Sequence, residues 1–584
     1  MGSSGTIDSL RRMESESLPD VRRSRRWPAL LIGGFVVQAG IRLLLAVHQK
    51  TPILIPDETG YLLAARLIAG GAAGDLSGWP LYQAGYPLLI SPAFWLSDDP
   101  ATVYRLVTVF NSLFGASLLV LAYVGLRRLD LSRTQAYVIA TVTALLPAVI
   151  YYSQFAMADA VLPVVVLGWL LLVHAWIAGG RWGHGAAASA LAAYCSCVHS
   201  RGSVIVVVHA VLLVAALWRR WAGRRDIAVA VSVLVTGSAA GWTLNGWVRS
   251  KIYPGGARPL GGLLVDRLSS LDGLAWTLSL AAGKIWFLIV STCGVAGVGL
   301  VVVGALAVRR ATPRPVRAAS WVALAALTGM AIASSAAVPD EGTVANLAYG
   351  RYLGCLCPAL FMAGAAFVVR GTRQTVDRAV LATTCLTLAA AGVVRWYAGN
   401  RLSHSFFSVL EFPEISFLTW SWDALRLWSA TCVALFLLVL AGLVIAKYRQ
   451  AGALVVAAAF IAFALADMTV VSKRVVRYWE GKLESATSLA PAGLRADDRV
   501  ALDYPGLSWR IWVSQAFQVR SGLKPLDRFR RETLPSDATL VVVPWDAPLR
   551  QRPEESWPAA PRNWHPVTVR TTYAGAWAAW RPEG

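Results

Sequence analysis

The sequence predicts a polytopic α-helical membrane protein of about thirteen spans, with amphipathic helices in its long loops and a small external α/β domain at the C-terminal end. Three observations predict it. The chain is 56% hydrophobic and only 15% charged, with a mean hydropathy of +0.54, more apolar sequence than a soluble domain can bury. Apolar runs of roughly 17 to 25 residues recur along most of its length. Arginine gathers in every second connection between them.

Taken in order, the expected spans lie near 27–47, 103–126, 134–151, 158–178, 185–200, 202–218, 227–247, 285–308, 318–338, 352–369, 379–397, 427–446 and 452–471. The first follows an arginine-rich preface but lacks a small-residue cleavage site before His48, so it reads as a retained helix. The preface, 1–26, reads as a disordered basic cytoplasmic tail. The fifth and sixth spans are short and separated only by His199-Ser200-Arg201.

The arginine-rich connections hold 23 of the 54 basic residues, from Arg11 through Arg127, Arg219, Arg309 and Arg370 to Arg449. That regularity puts the N-terminus inside and, with an odd number of spans, the C-terminal segment outside. It also accounts for the formal charge of +21 without nucleic acid. Richness in Ala, Arg, Gly and Val points to a high-GC bacterium and hence its plasma membrane. The seven cysteines all lie in or beside apolar spans, where small apolar residues are ordinary.

The alternate connections differ in kind. The first external loop, 48–102, contains a helical pattern opening at Asp57-Glu58, with Tyr61, Leu62, Ala65, Leu67 and Ile68 along one side. Asp57 suits an N-cap after Pro56, and Gly70-Gly71 ends the helix. The apolar stretch from Tyr86 to Leu96 is too short to span and reads as a helix in the interface plane, with Trp95 at headgroup depth. Further external stretches run over 249–284 and 398–426, the latter rich in aromatic residues. From about Ser472 the composition turns hydrophilic. Strand-like runs at 499–504, 539–544, 567–572 and 576–580, with a helix-like piece at 508–521, make 472–584 a small α/β domain, set apart from the membrane region 27–471.

The candidate site residues are charges placed where charge is costly. Asp57 and Glu58 adjoin the first span, with Tyr61 one turn along the same helix face; acids in a first helical turn are also favoured by the dipole alone. Asp159 opens a run of about twenty uncharged residues, which implies either a polar cavity or a helix cap. Arg201, Arg351, Lys251 and Lys284 fall on the same side, as do Arg42, Lys50, Arg249 and Arg258. Arginine and lysine there suit a phosphate at the membrane surface, although snorkelling serves equally. His48, His199 and His404 are too scattered to make a metal site. Together the charges describe a cavity with both signs at the outer rim.

Ile55-Pro56-Asp57-Glu58-x-x-Tyr61 in a long first external loop resembles the signature of GT-C glycosyltransferases, in the branch of protein mannosyltransferases and aminoarabinose transferases. Gly85-Tyr86-Pro87-Leu88-Leu89, Met157-Ala158-Asp159 and Tyr349-Gly350-Arg351-Tyr352 with Pro358 are similar to its later motifs. The branch often carries a lysine where this chain has Arg201, and the C-terminal domain shows no motif to carry over. The resemblance implies an enzyme that takes a sugar from a polyprenyl-phosphate donor and transfers it on the outer face to a glycan, lipid, protein or small-molecule acceptor. It makes Asp57 the general base, Glu58 a helper or a metal ligand beside Asp57, and Asp159 an orienting acid. Arg201, Arg351, Lys251 and Lys284 would hold the donor phosphate, and Tyr61, Tyr82, Tyr86 and Tyr349 would line the substrates. A divalent cation (Mg or Mn) serves some relatives and not others. Inversion at the anomeric carbon would follow from a single displacement. A flippase of a lipid-linked sugar is the alternative, but it would place its charges near the bilayer midplane in repeated halves, and no halves repeat here.

Overall fold

The computed structural model describes residues 26–527, 534–546 and 552–583. All but Arg26 of the expected N-terminal tail lies outside them. Among the described residues eight helices are long and apolar enough to cross a membrane, or nine if one bent pair counts as a single span. That is fewer than the expected thirteen, for identifiable reasons. Leu162–Ile177, Gly202–Trp218 and Val295–Val308 are apolar helices of 17 residues or fewer, and Trp182–Val198 has 17.

The first span is α1 (Arg26–Ala46). In the first loop lie α2 (Asp57–Ile68), α3 (Gly85–Ile90) and α4 (Ala93–Leu96). Pro56, not Asp57, is the N-cap of α2, which leaves the Asp57 carboxylate free for other partners. Gly70, at φ 94°, turns the chain out of the helix, and Gly71 N–H closes back on Arg66 O. Glu58 through Arg66 are all buried, so α2 is enclosed by protein instead of lying in an interface plane. The expected interface helix from Tyr86 is broken at Ser91-Pro92; Tyr86 is buried, while Trp95 is exposed and donates to Ala69 O.

The long span α5 (Pro100–Arg128) starts at Asp99, whose carboxylate accepts from Thr102 N–H. The next expected span is a pair, α6 (Arg133–Ala144) and Pro147–Gln154, bent by 56° where Pro147 interrupts it. Arg42 is buried against this break, donating to Ala144 O and to Gln38. It satisfies a helix end, so the phosphate reading fails for it. Then come α7 (Leu162–Ile177), α8 (Trp182–Val198), α9 (Gly202–Trp218) and α10 (Arg224–Ile252).

The stretch 249–284 is not a loop. It contains α11 (Leu260–Leu268) and most of α12 (Leu271–Val290), which Ser270 caps by accepting from Gly273 N–H. Across a turn, α13 (Val295–Val308) continues the path. It packs with backbone contact on α15 (Cys357–Arg370), while α14 (Arg314–Ala337) runs between them in sequence. The close approach depends on two glycines: a Cβ on Gly299 would lie 1.8 Å from Leu360 O, and one on Gly364 would lie 2.1 Å from Val295 O.

After α16 (Arg373–Ala398) and the short α17 (Pro413–Thr419) comes α18 (Leu427–Val471), broken at Arg449 (φ 53°, ψ −120°). Gly452 lies directly against Val444 and Ile445. In a straight helix that separation would be about 12 Å, so the path doubles back there. The two spans expected at 427–446 and 452–471 are its two arms.

Helical chain continues to α19 (Arg477–Thr487). Beyond it a five-stranded mixed sheet forms from β1 (Val500–Asp503), β2 (Leu523–Leu526), β3 (Leu540–Pro544), β4 (Trp564–Thr572) and β5 (Gly575–Pro582), in the order β2-β1-β3-β5-β4. β1 runs parallel to β2 and β3, and α20 (Trp509–Gln518) makes the crossover between β1 and β2. β2, Leu-Lys-Pro-Leu, was not expected as a strand. Its proline is tolerated because the strand is at the sheet edge.

Candidate functional site

Five charged side chains from distant parts of the chain meet beside the first loop. Arg351 is central. Its Nη1 donates to Asp57 Oδ2 at 2.7 Å and its Nε to Asp159 Oδ2 at 2.9 Å. Arg201 donates to the other Asp159 oxygen and, through Nη1, to Arg351 O at 2.9 Å. Asp159 is therefore held between two guanidiniums. All three of these side chains are nearly excluded from solvent, whereas Asp57 keeps 30% of its side chain exposed. Tyr82 O–H donates to the second Asp57 oxygen at 3.0 Å. Burial, then the adjacent Asp57 charge, raises the Tyr82 phenol well above its ordinary pKa, so it stays a donor.

Lys284 completes the group. Its ammonium donates to Ser334 Oγ and Ser335 Oγ at 2.9 and 3.0 Å and lies 4.7 Å from the Tyr352 ring centroid. The Arg201 guanidinium faces the same ring at 5.8 Å. Arg201 and Arg351 are paired with Asp57 and Asp159, and the Lys284 amine adds further N–H donors beside Tyr352, a set of donors that suits an anion. Local geometry sets this up: Tyr349-Gly350-Arg351-Tyr352 opens a 3₁₀ turn leading into α15, and a Cβ on Gly350 would lie 2.2 Å from Phe287. Arg351 thus reaches the cluster because Gly350 lets the turn press onto α12.

Glu58 is built differently. Its Oε1 accepts from Ile53 and Leu54 N–H at 2.8 and 2.7 Å; its Oε2 accepts from Ala156 N–H at 2.8 Å and from the Tyr104 hydroxyl. Burial raises its pKa, and these four hydrogen bonds oppose the rise. Every strong acceptor site is used, so Glu58 ties the loop to α5 and to the segment before Asp159. It does not share a ligand position with Asp57, whose oxygens face Tyr82 and Arg351. Among the described residues no group of three or more His, Cys, Asp or Glu could hold a metal ion. The two acids face apart, Asp57 toward Tyr82 and Arg351 and Glu58 toward its four donors, so their oxygens do not converge on one point.

Other expected residues part company in the same way. Tyr61 is buried and packs edge-on against Tyr82 and Tyr86, with centroids 5.3 Å away in each case. Tyr86 is fully buried and donates to Asn111 Oδ1, which places it in the core and not against a substrate. Tyr349 shares a hydrogen bond with Tyr152 at 3.1 Å, and the Arg351 guanidinium lies 5.8 Å from the Tyr152 ring. Lys251 is exposed near the end of α10 and makes no ion pair with the cluster. Tyr104, Ser334 and Ser335 escaped sequence reading, since nothing local distinguishes a hydroxyl on an apolar helix that meets a buried charge.

The chain thus combines a body of long apolar helices with a mixed-charge cluster beside a buried loop helix. Known proteins share parts of this arrangement. Residues 63–244 match the family model for dolichyl-phosphate-mannose-protein mannosyltransferase. The fold is shared with ArnT from Cupriavidus metallidurans bound to undecaprenyl phosphate, at a TM-score of 0.54 and 14% identity over 95% of this chain and 98% of that one. The apo state of that ArnT aligns over the same shares of both chains, with a TM-score of 0.51 and 14% identity. No curated protein matches by sequence. Residues 63–244 thus resemble that family, and the chain shares the ArnT fold.

Proposed function

We propose that the protein transfers a sugar from a polyprenyl-phosphate donor to an acceptor hydroxyl on the outer face of a bacterial plasma membrane, with inversion at the anomeric carbon. The C-terminal sheet domain then lies outside the membrane, and the thirteen-span topology becomes the working assignment. The observation that carries the reading is the Arg351 bridge between half-buried Asp57 and buried Asp159.

The chemistry needs a base for the acceptor proton and cations for the leaving phosphate. Asp57 is the acid of the cluster that solvent reaches, and it is the base in this reading. Arg351, Arg201 and Lys284 supply the cationic side. Buried Asp159 keeps the two guanidiniums charged and fixed. The leaving group is an ionised phosphate, so no strong acid is required.

The Asp57–Arg351 ion pair describes a resting arrangement. A phosphate entering beside Arg351 competes with Asp57 for the guanidinium. As Arg351 turns to the phosphate, Asp57 Oδ2 is released from its ion pair and is open to the acceptor hydroxyl. Donor binding and base activation are thereby coupled through one side chain. Which sugar is carried and which acceptor receives it are read from the glycans and lipids altered when the gene is deleted.

Asp57→Asn tests the assignment. It preserves size and the Tyr82 hydrogen bond and removes the base. The expected result is a loss of transfer of about 10²-fold or more with the protein still folded. Transfer at the wild-type rate by the purified variant would remove Asp57 from the role.

A further inference from the structure

The first loop and the C-terminal domain meet at one buried cation. Arg66, in the last turn of α2, donates through Nη1 to Val519 O at 2.7 Å and Ala516 O at 3.3 Å, and through Nε to Ala72 O at 2.9 Å. The first two acceptors are carbonyls at the C-terminal end of α20, where a helix lacks internal donors and favours positive charge. Arg66 is only 5% exposed. The contact is reinforced by Trp79 against Trp509, with ring centroids 5.0 Å apart, and by the Arg520–Asp98 ion pair at 2.7 Å.

Asp57 is the first residue of the same short helix. A helix of three turns, buried from Glu58 to Arg66, behaves as a rod of about 17 Å. Fixing its Arg66 end against α20 fixes the angle at which the other end presents Asp57 to Arg351. Both contacts cross between distant segments, so the rod is clamped at each end by a guanidinium bond: Arg66 on the domain side and Arg351 on the cluster side.

We propose that Arg66 is a positioning residue through which the C-terminal domain holds Asp57 on Arg351. The proposal rests on reading the cluster as a phosphate site. It assigns the C-terminal domain a part in setting the charge of that site, independent of any acceptor it contacts.

The test uses the full chain in lipid nanodiscs, with undecaprenyl phosphate as the probe. Affinity and amide hydrogen exchange over 57–66 are the readouts. Asp57 neutralises part of the cationic cluster, so Asp57→Asn is expected to tighten undecaprenyl phosphate binding by about 10-fold. Arg66→Ala is expected to tighten it by a part of that factor and to speed exchange at the Asp57 end of α2. Added to Asp57→Asn, Arg66→Ala is expected to change affinity no further, since the carboxylate it positions is gone. Arg66→Lys, which keeps the charge and some of the donors, should restore part of the protection.

Two results would overturn the proposal: unchanged affinity and exchange in Arg66→Ala, or an equal effect of Arg66→Ala with and without Asp57. If Arg66→Ala does not fold, Trp509→Ala takes its place with the same expectation for exchange at the Asp57 end, and unchanged exchange there counts equally against it. An Asp57→Asn variant with wild-type affinity would instead sink the phosphate-site reading itself.

Discussion

Lys284 faces Tyr352 with its ammonium 4.7 Å from the ring centroid, and its hydrogen-bonded partners are two serine hydroxyls, not a carboxylate. Holding a proton on a buried amine so placed costs desolvation that two hydroxyls and a ring only partly offset. A site arranged this way gains stability when an anion arrives.

Lys284→Met should therefore separate stability from binding. The variant is expected to melt at a higher temperature than the wild type in the absence of ligand, since methionine of similar volume replaces an incompletely satisfied buried amine. Undecaprenyl phosphate should bind it about 10-fold more weakly or worse. Thermal unfolding with and without the lipid reads both effects, and a variant stabilised by the lipid as much as the wild type would contradict the role.

Glu58→Gln should cost stability, not chemistry. The amide offers one acceptor oxygen where four donors converge, and its NH₂ group meets N–H or O–H groups that also donate. The expected loss is about 2 to 4 kcal/mol, seen as poor yield and a lower melting temperature. The fraction that folds should still bind undecaprenyl phosphate. A stable variant that fails to bind would show that Glu58 acts in the site directly.

Glu414, at the start of α17, gives a pH dependence. Burial pushes its carboxyl up to about 7. A raised acid binds its proton more tightly in the folded state than in the unfolded one, so folded-state stability falls as pH rises from about 4.5 to 7 and then levels off. Glu414→Gln should flatten that part of the profile and stabilise the protein at pH 8, by up to about 3 kcal/mol. Melting temperatures of both proteins across this pH range decide it; parallel curves would rule the carboxyl out as the cause.

Gly364→Ala should split the α13–α15 pair. Its Cβ would meet Val295 O at 2.1 Å and Gly299 N at 2.8 Å, both backbone atoms that cannot swing aside. Destabilisation of about 1 to 3 kcal/mol is expected, whereas alanine at Gly304, with nothing within 4 Å, should be neutral. Similar melting temperatures for the two variants would contradict the packing.

Much of this architecture is legible in the sequence because the bilayer imposes a long-range order that apolar runs and arginines record. Asp57, Asp159, Arg201, Arg351 and Lys284 stand out for the same reason: each is a charge at the edge of an apolar segment. Their wiring is not legible. Asp159 finds Arg201 and Arg351 across 42 and 192 residues, and only the packed helices define those meetings. Asp57 and Glu58 misled as a pair because neighbours in sequence diverge by about 100° around a helix. One faces the cluster and the other the core. The span predicted from 285 begins after Lys284, whereas α12 starts at Leu271 and carries Lys284 inward against two serines.

The four hydrogen bonds on Glu58 also bear on how such a protein can change. The carboxylate does the work of a cross-link among the chain at 53–54, Tyr104 and Ala156. A loop carrying it cannot be exchanged as a module. Transplanted onto a membrane body without a matching tyrosine and free amide, it would bring a carboxylate into the interior with no donors to meet it. Change in this scaffold then falls outside the network that Glu58 ties together, and the segment around it is inherited whole.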